Sequence, residues 1–354
     1  MKPVSQWHNK PIMDICIYHF GWLWMLISIY LIQNSSKLNF YLFIAGASIS
    51  FVHLHIGVVS AYLDKETFDN HKKQLLIFPL LCVATFFGVS FLLRTLPALL
   101  NGLVFFALLW NIYHVHMQKF GILRIYNAKA KNVFNSQQQI PHWVDRLFVF
   151  SWIPLYAAYM IPANKNMLEN ALINSAPMLL QYFYPMVNFL TKAKVLLLTP
   201  ALGFLIISIG VFIYYEVKVS KFQNKARLSM ALGTLLLSAS FIFLNPILAY
   251  AAFSFGHAVE YILFVYAFQQ RKYNSSNYMS IMKKFRLYTK LSFTIFVTVF
   301  LLIYCVLIYW RETNYSGLTL GNWLFYWVVF QSLIHFYSDG FLWKMRNKKV
   351  RNYL

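Results

Sequence analysis

The sequence predicts an all-α membrane protein, a polytopic bundle of about ten transmembrane helices with both termini in the cytoplasm. Of the 354 residues, 59% are hydrophobic and only 12% are charged, a composition that excludes an ordinary soluble fold. Apolar stretches of about 20 residues recur between short basic connectors, and each is long enough to cross a bilayer as a helix. Stretches such as 195–214 do not alternate apolar and polar residues, so they do not favour a β-barrel.

The apolar runs and the polar residues that bracket them place these helices in order within one domain. Their approximate spans are 12–33, 39–63, 74–93, 97–118, 143–161, 195–215, 228–245, 247–270, 290–310 and 320–343. Asn245-Pro246 is a turn signal that separates the seventh span from the eighth. Segment 162–194 is predicted to be an external amphipathic connector that lies on the membrane surface.

The distribution of positive charge predicts the orientation. Cytoplasmic connectors should be the richer in Lys and Arg, and placing both termini inside puts 25 of the 31 such residues on the cytoplasmic side. The exceptions are Lys37, Arg94, Lys165, Lys192, Lys194 and Arg311. We interpret the net charge of +21 as a topology signal that also attracts anionic lipids, and we expect no nucleic-acid partner. The expected location is a bacterial inner membrane.

Ionisable and amide side chains inside the spans are concentrated on the even-numbered helices, which all run inward. Each such group in a bilayer costs several kcal/mol unless it is paired, so each is a candidate for function. The second span carries His53 and His55, the fourth Asn111, His114, His116 and Gln118, the eighth His257 and Glu260, and the tenth Gln331, His335 and Asp339. Counted from the cytoplasmic ends of the spans, their depths overlap in the inner half of the membrane.

Helical spacing assigns these side chains to faces. Residues three or four positions apart lie on one side of a helix, as in the stripes Asn111–His114–Gln118 and Gln331–His335–Asp339. His53 continues through Gly57, Ser60 and Asp64, a small and polar stripe suited to packing around a cavity. His55 points about 200° away from His53, so only one of the pair is expected to face a shared interior. Trp343, near a span end, is interpreted as an interfacial residue.

A cluster of imidazoles and carboxylates at one depth favours a metal site. Neutral imidazole suits iron, copper and zinc, and we expect iron, with zinc as the alternative. The expected metal ligands are His53 or His55, together with His114, His257 and His335. Glu260 and Asp339 would act as acid–base groups or as a further ligand. Asn111, Gln118 and Gln331 would orient the ligand rings around the cofactor.

The leading hypothesis for function is a membrane-embedded metal-dependent oxidoreductase, a non-haem iron oxygenase whose lipophilic substrate enters from the bilayer. The sequence contains neither a GxxxxGK[ST] loop nor an HExxH motif, so P-loop hydrolysis and the common zinc protease are not supported. Three alternatives stay open: a proton- or cation-coupled transporter, a zinc-dependent lipid hydrolase, and a haem-binding electron carrier.

The placement of histidines on separate helices resembles the Brp/Blh-type β-carotene oxygenases, polytopic bacterial membrane proteins with several histidines around iron. This resemblance implies an iron centre and oxygenation of an isoprenoid substrate. The chain has Asp339 four residues after His335, where a paired HxxxH would be expected in that family. The segments Asn111-Ile112-Tyr113-His114 and His335-Phe336-Tyr337-Ser338-Asp339 also resemble bacterial membrane proteins of unknown function.

Overall fold

A computed structural model describes residues 6–32, 34–92, 97–133, 139–175, 179–275, 281–313 and 320–343, and every regular element in these ranges is helical. The α-helices are α1 Pro11–Met13, α2 Gly21–Ile32, α3 Ser36–Leu63, α4 Lys65–Leu92, α5 Pro97–Val133, α6 His142–Phe150, α7 Trp152–Leu155, α8 Ile161–Ala163, α9 Lys165–Ser175, α10 Leu180–Tyr215, α11 Lys225–Phe243, α12 Pro246–Ser275, α13 Ile281–Lys284, α14 Lys290–Thr313 and α15 Leu320–Leu342. Short π-helical segments occupy Asp14–His19, Tyr156–Met160 and Glu216–Ser220.

Six helical segments of the described chain are long and apolar enough to cross a membrane. They are Ser36–Leu63, His142–Ala163, Leu180–Ser220, Lys225–Phe243, Pro246–Asn274 and Lys290–Tyr309. The bent pair Pro11–His19 and Gly21–Ile32 makes a seventh if it is counted as one span. These lengths and compositions indicate an integral membrane protein.

Two of the predicted helices are interrupted. The first, predicted as 12–33, bends by 61° between Pro11–His19 and Gly21–Ile32. The fifth, predicted as 143–161, consists of α6, α7, a π-helical turn and α8. Within the fifth helix, Pro154 explains the break between α6 and α7. A proline ring clashes with the carbonyl group four residues earlier, and α6 ends at that residue, Phe150.

Several helices extend beyond their predicted spans. The predicted connector 162–194 contains α9 and the first part of α10, so it is largely helical. Helix α4 begins at Lys65, with a non-helical backbone at His71, and α5 continues to Val133. The fourth predicted span ended before Lys119 and the third began after Lys73, but Lys, Arg, Glu and Ala are good helix formers outside the bilayer as well. Helices α11 and α12 lie on either side of the predicted Asn245-Pro246 turn.

The chain divides into two compact units. The first comprises Met1–Leu26 and Leu108–Gly256, and the second comprises Ile27–Ala107 and His257–Leu354. In the first unit, α10 packs along the segment from α6 to α9, and α11 packs against the π-helical segment Asp14–His19. Gly233 permits that contact, because a Cβ atom at this position would overlap the carbonyl group of His19.

The second unit is built around α3, which packs against α4, α14 and α15. Helix α3 begins after Ser35, whose side chain accepts a hydrogen bond from Leu38 N, and ends at Leu63, with Asp64 as the C-cap. Its contact with α14 is a cluster of buried apolar side chains formed by Ile44, Val52, Tyr304 and Ile308. The opposite face of α14 exposes large apolar side chains suited to lipid, among them Leu291, Ile295, Val299, Leu302 and Val306.

Candidate metal site

Three histidines converge in the second unit from three different helices. His53 comes from α3, His257 from α12 and His335 from α15, and their side chains are 5%, 1% and 0% exposed. One ring nitrogen from each lies within 4.8 Å of the other two. Helical periodicity brings this about, because each helix turns one histidine toward the space between the three helices.

The rings of the cluster meet edge to face. The centroid of the His53 ring lies 4.8 Å from that of His257 and 4.9 Å from that of His335. Three nitrogens bound to one ion at about 2.1 Å each stand roughly 3–4 Å apart. Small rotations of the three rings are therefore enough to bind an ion. Three protonated imidazoles at this distance would repel one another strongly, so the cluster is better suited to neutral rings.

The hydrogen bonding of His53 selects the nitrogen that can bind a metal. Its Nδ1 bonds the carbonyl oxygen of Ser50 on the preceding turn and must be the protonated nitrogen, because a carbonyl can only accept. Nε2 of His53 is buried and has no hydrogen-bond partner among the described residues. It therefore carries a lone pair that is available to an ion.

A carboxylate lies against His335. Oδ2 of Asp339 is 3.5 Å from Nε2 of His335, one helical turn away on α15. Tyr261 donates a hydrogen bond of 2.6 Å to Oδ1 of Asp339, and Trp343 Nε1 lies 3.0 Å from both that oxygen and the Tyr261 hydroxyl. A carboxylate that is itself hydrogen-bonded and faces a ligand imidazole is a common device for orienting the ring.

His55 faces a different helix from His53. Its Nδ1 lies 3.0 Å from the carbonyl oxygen of Phe51 and 3.0 Å from the hydroxyl of Tyr304 on α14, and its ring packs on Phe300. These contacts place His55 in the packing between α3 and α14. Of the two histidines predicted on this helix, only His53 belongs to the cluster.

The other candidates divide between the two units. In the second unit, Glu260 is buried three residues after His257, and Gln331 is half-buried one turn before His335. The candidates in the first unit are Asn111, His114 and Gln118. Asn111 donates a hydrogen bond of 3.1 Å to the Tyr250 hydroxyl, His114 is buried, and Gln118 is half-buried.

No protein-family model, curated protein or solved structure matches this chain.

Two aromatic residues have a place at the site that the sequence did not predict. Trp343 was interpreted as an interfacial residue, yet its indole nitrogen bonds the Asp339 carboxylate. Tyr261 lies one helical turn after His257 on α12, and its hydroxyl joins Asp339 to Trp343. The four-residue spacing from Asp339 to Trp343 was the available signal, because side chains at that spacing are neighbours on a helix.

The first unit contains a buried ion-pair network whose residues the sequence analysis did not single out. The fully buried Arg227 donates from Nε to Glu216 at 2.5 Å and from Nη2 to Asp145. Arg124 bonds the second oxygen of Asp145 at 3.0 Å, and Asn224 caps the start of α11 by accepting from Arg227 N. A buried arginine requires partners of this kind, so the network fixes how the ends of α6, α10 and α11 meet.

Proposed function

We propose that His53, His257 and His335 bind a transition metal ion, and that the chain is a membrane-embedded non-haem iron oxygenase that acts on a lipophilic substrate. One observation carries the proposal: three buried imidazoles from three helices, with ring nitrogens within 4.8 Å of one another. A histidine that only joins two helices needs one partner across the interface, as His55 has in Tyr304. Convergence of three rings is what a metal ion requires.

Iron fits this donor set, and iron would supply redox chemistry. Three neutral nitrogen ligands leave coordination positions for dioxygen and for substrate, whereas sulfur donors are missing from the cluster. Zinc accepts the same three nitrogens and would direct the site toward hydrolysis instead. Asp339 would orient the His335 ring, and the Tyr261 hydroxyl would hold that carboxylate in place.

The position of the cluster favours a substrate from the bilayer. His53 lies within Ser36–Leu63 and His257 within Pro246–Asn274, both of which are candidate membrane spans. The second unit also exposes apolar side chains along α14, including Leu302 and Val306. A lipid or isoprenoid could reach such a site laterally, without crossing an aqueous phase.

We further propose ten spans with both termini on the cytoplasmic side of a bacterial inner membrane. The segregation of Lys and Arg supports this topology. Helix α10 agrees with this topology. Its 36 residues extend over about 54 Å, and Lys192 and Lys194 separate its first part from the apolar part that follows. The apolar part from 195 to 215 is about 31 Å long, close to the thickness of the hydrocarbon core.

Lipid analysis tests the enzymatic proposal. Lipids would be extracted from cells that produce the wild-type protein, His53→Ala or His55→Ala, and compared by mass spectrometry. We expect lipid species enriched in oxygen with the wild type and with His55→Ala, and their loss with His53→Ala. Identical lipids from wild type and His53→Ala would contradict the oxygenase proposal. Cleaved lipids that depend on His53 would identify a hydrolase.

A further inference from the structure

A second polar site lies in the second unit, at the end of α3. A cavity of about 60 Å³ opens between α3, the start of α4, α12 and the end of α15. Its walls include Gly57, Ser60, Asp64, Gln269, Lys272 and Trp343. The first three belong to the small and polar stripe that continues from His53 along α3. Space of this size admits a few water molecules or a small polar group.

Gln269 has unused hydrogen-bonding capacity at this cavity. Its side chain is 4% exposed, and neither its amide nitrogen nor its amide oxygen has a hydrogen-bond partner among the described residues. A buried amide without partners is destabilising, so its presence indicates a group that bonds it. Oδ1 of Asp64, a residue that is 5% exposed, is buried without a partner in the same part of the structure.

The charged groups at the cavity, one ammonium and two carboxylates, already bond one another. The Lys272 ammonium bonds Oδ2 of Asp64 and lies 3.1 Å from Oε2 of Glu66. Thr67 donates a further hydrogen bond of 2.9 Å to Oδ2 of Asp64. An anion would meet two carboxylates here, and a cation would have to compete with Lys272 for the same oxygens. These bonds leave Oδ1 of Asp64 and the Gln269 amide as groups that a ligand can bond.

We propose that this cavity binds an uncharged group that bears hydroxyls, supplied either by the headgroup of a glyceride- or sugar-type lipid or by a free polyol. A hydroxyl can donate to Oδ1 of Asp64 or Oε1 of Gln269 and can accept from Nε2 of Gln269. One small diol can therefore bond both the Gln269 amide and Oδ1 of Asp64. Neither a phosphate nor an ammonium group complements this arrangement as well.

The cavity is physically connected to the histidine cluster. Trp343 lines the cavity and also bonds Asp339, which lies against His335. His53 and Asp64 are 11 residues apart on α3, or about 16 Å along the helix axis. A lipid whose head occupies the cavity would place a carbon well along its chain near the histidines. This last step alone rests on the proposed metal site, whereas the binding of a hydroxyl group does not.

The test uses the detergent-purified full chain with three probes: monoolein, free glycerol, and methyl oleate, which has no hydroxyl. Binding is measured as the shift in unfolding midpoint over a concentration series, for the wild type, Gln269→Leu and Gln270→Leu. Gln270 is the matched control, because it is exposed and bonds only Tyr266 among the described contacts. Gln269→Leu removes an unpartnered amide, so without ligand this variant should unfold at the same temperature as the wild type or a higher one.

We expect monoolein to bind the wild type and Gln270→Leu equally and to bind Gln269→Leu at least about tenfold more weakly, or ~1.4 kcal/mol. Stabilisation by glycerol at the same concentrations as monoolein would identify a free polyol as the ligand, and stabilisation by monoolein alone would identify a lipid headgroup. Methyl oleate that binds as tightly as monoolein, or an unchanged affinity in Gln269→Leu, would overturn the proposal. The metal content of the same samples is measured separately, so its absence counts against the proposed function and not against this cavity.

Discussion

At the scale of single residues, the site depends on which histidine of each pair turns inward. The sequence predicted that only one of His53 and His55 would face a shared interior, and the structure places His53 in the cluster and His55 against Tyr304. Spacing alone could not choose between them, because both lie at similar depth on one helix. The decisive information is in the partner helices, where α14 presents a tyrosine to His55 while α12 and α15 present histidines to His53.

Asp339→Asn tests the role of the carboxylate beside His335. The substitution keeps the shape but removes the charge that orients the imidazole, so metal affinity should fall about 10- to 100-fold. Competition with a chromophoric chelator measures that affinity in detergent. Tyr337→Phe is the control, because Tyr337 is 40% exposed on the same helix, and it should leave the affinity unchanged. Equal affinities in the two variants would rule out this role for Asp339.

At the scale of helices, most of the elements were predictable, but several of their ends were not. Six of the predicted spans correspond to helical segments of the described chain that are long and apolar enough to cross a membrane, because a long apolar run in a bilayer has to satisfy its backbone internally. The extension of α5 to Val133 and of α10 back to Leu180 was missed, because a charged residue marks the edge of the membrane and not the end of a helix. The cavity that Asp64 and Gln269 line was also missed. Its residues come from different helices, and the sequence does not show how those helices align with one another.

Gly57→Ala tests the close contact between α3 and α12 in the second unit. A Cβ atom at Gly57 would overlap the hydroxyl end of Tyr261, which is held by Asp339 and Trp343. We expect a loss of about 1–3 kcal/mol in stability, measured as a lower unfolding midpoint in detergent. Gly340→Ala is the control: apart from its own helix, no described atom lies within 4 Å of the added Cβ atom, so its midpoint should be unchanged or higher. If both variants unfolded at the wild-type temperature, this packing would be wrong.

At the scale of the whole molecule, amino-acid composition was enough to predict the class of protein but not enough to predict its chemistry. A hydrophobic fraction of 59% and repeated apolar runs predicted helices that can cross a membrane, and six such segments are present in the described chain. The grouping of three histidines depends on how α3, α12 and α15 pack, which no single span encodes. Likewise, Asp145 is far in sequence from Glu216 and Arg227, and the three form one network only after α6, α10 and α11 pack together.

The metal content of the purified protein tests the central claim most directly. Elemental analysis and an absorption spectrum would be recorded for the wild type and for the alanine variants of His53, His257, His335 and His55. We predict near-stoichiometric iron without a Soret band in the wild type and in His55→Ala, and its loss from each of the other three variants. If zinc were present in place of iron and were lost from the same three variants, the metal site would be supported but its chemistry would be hydrolysis. A wild-type protein without stoichiometric metal, or equal metal in His53→Ala and His55→Ala, would contradict the claim.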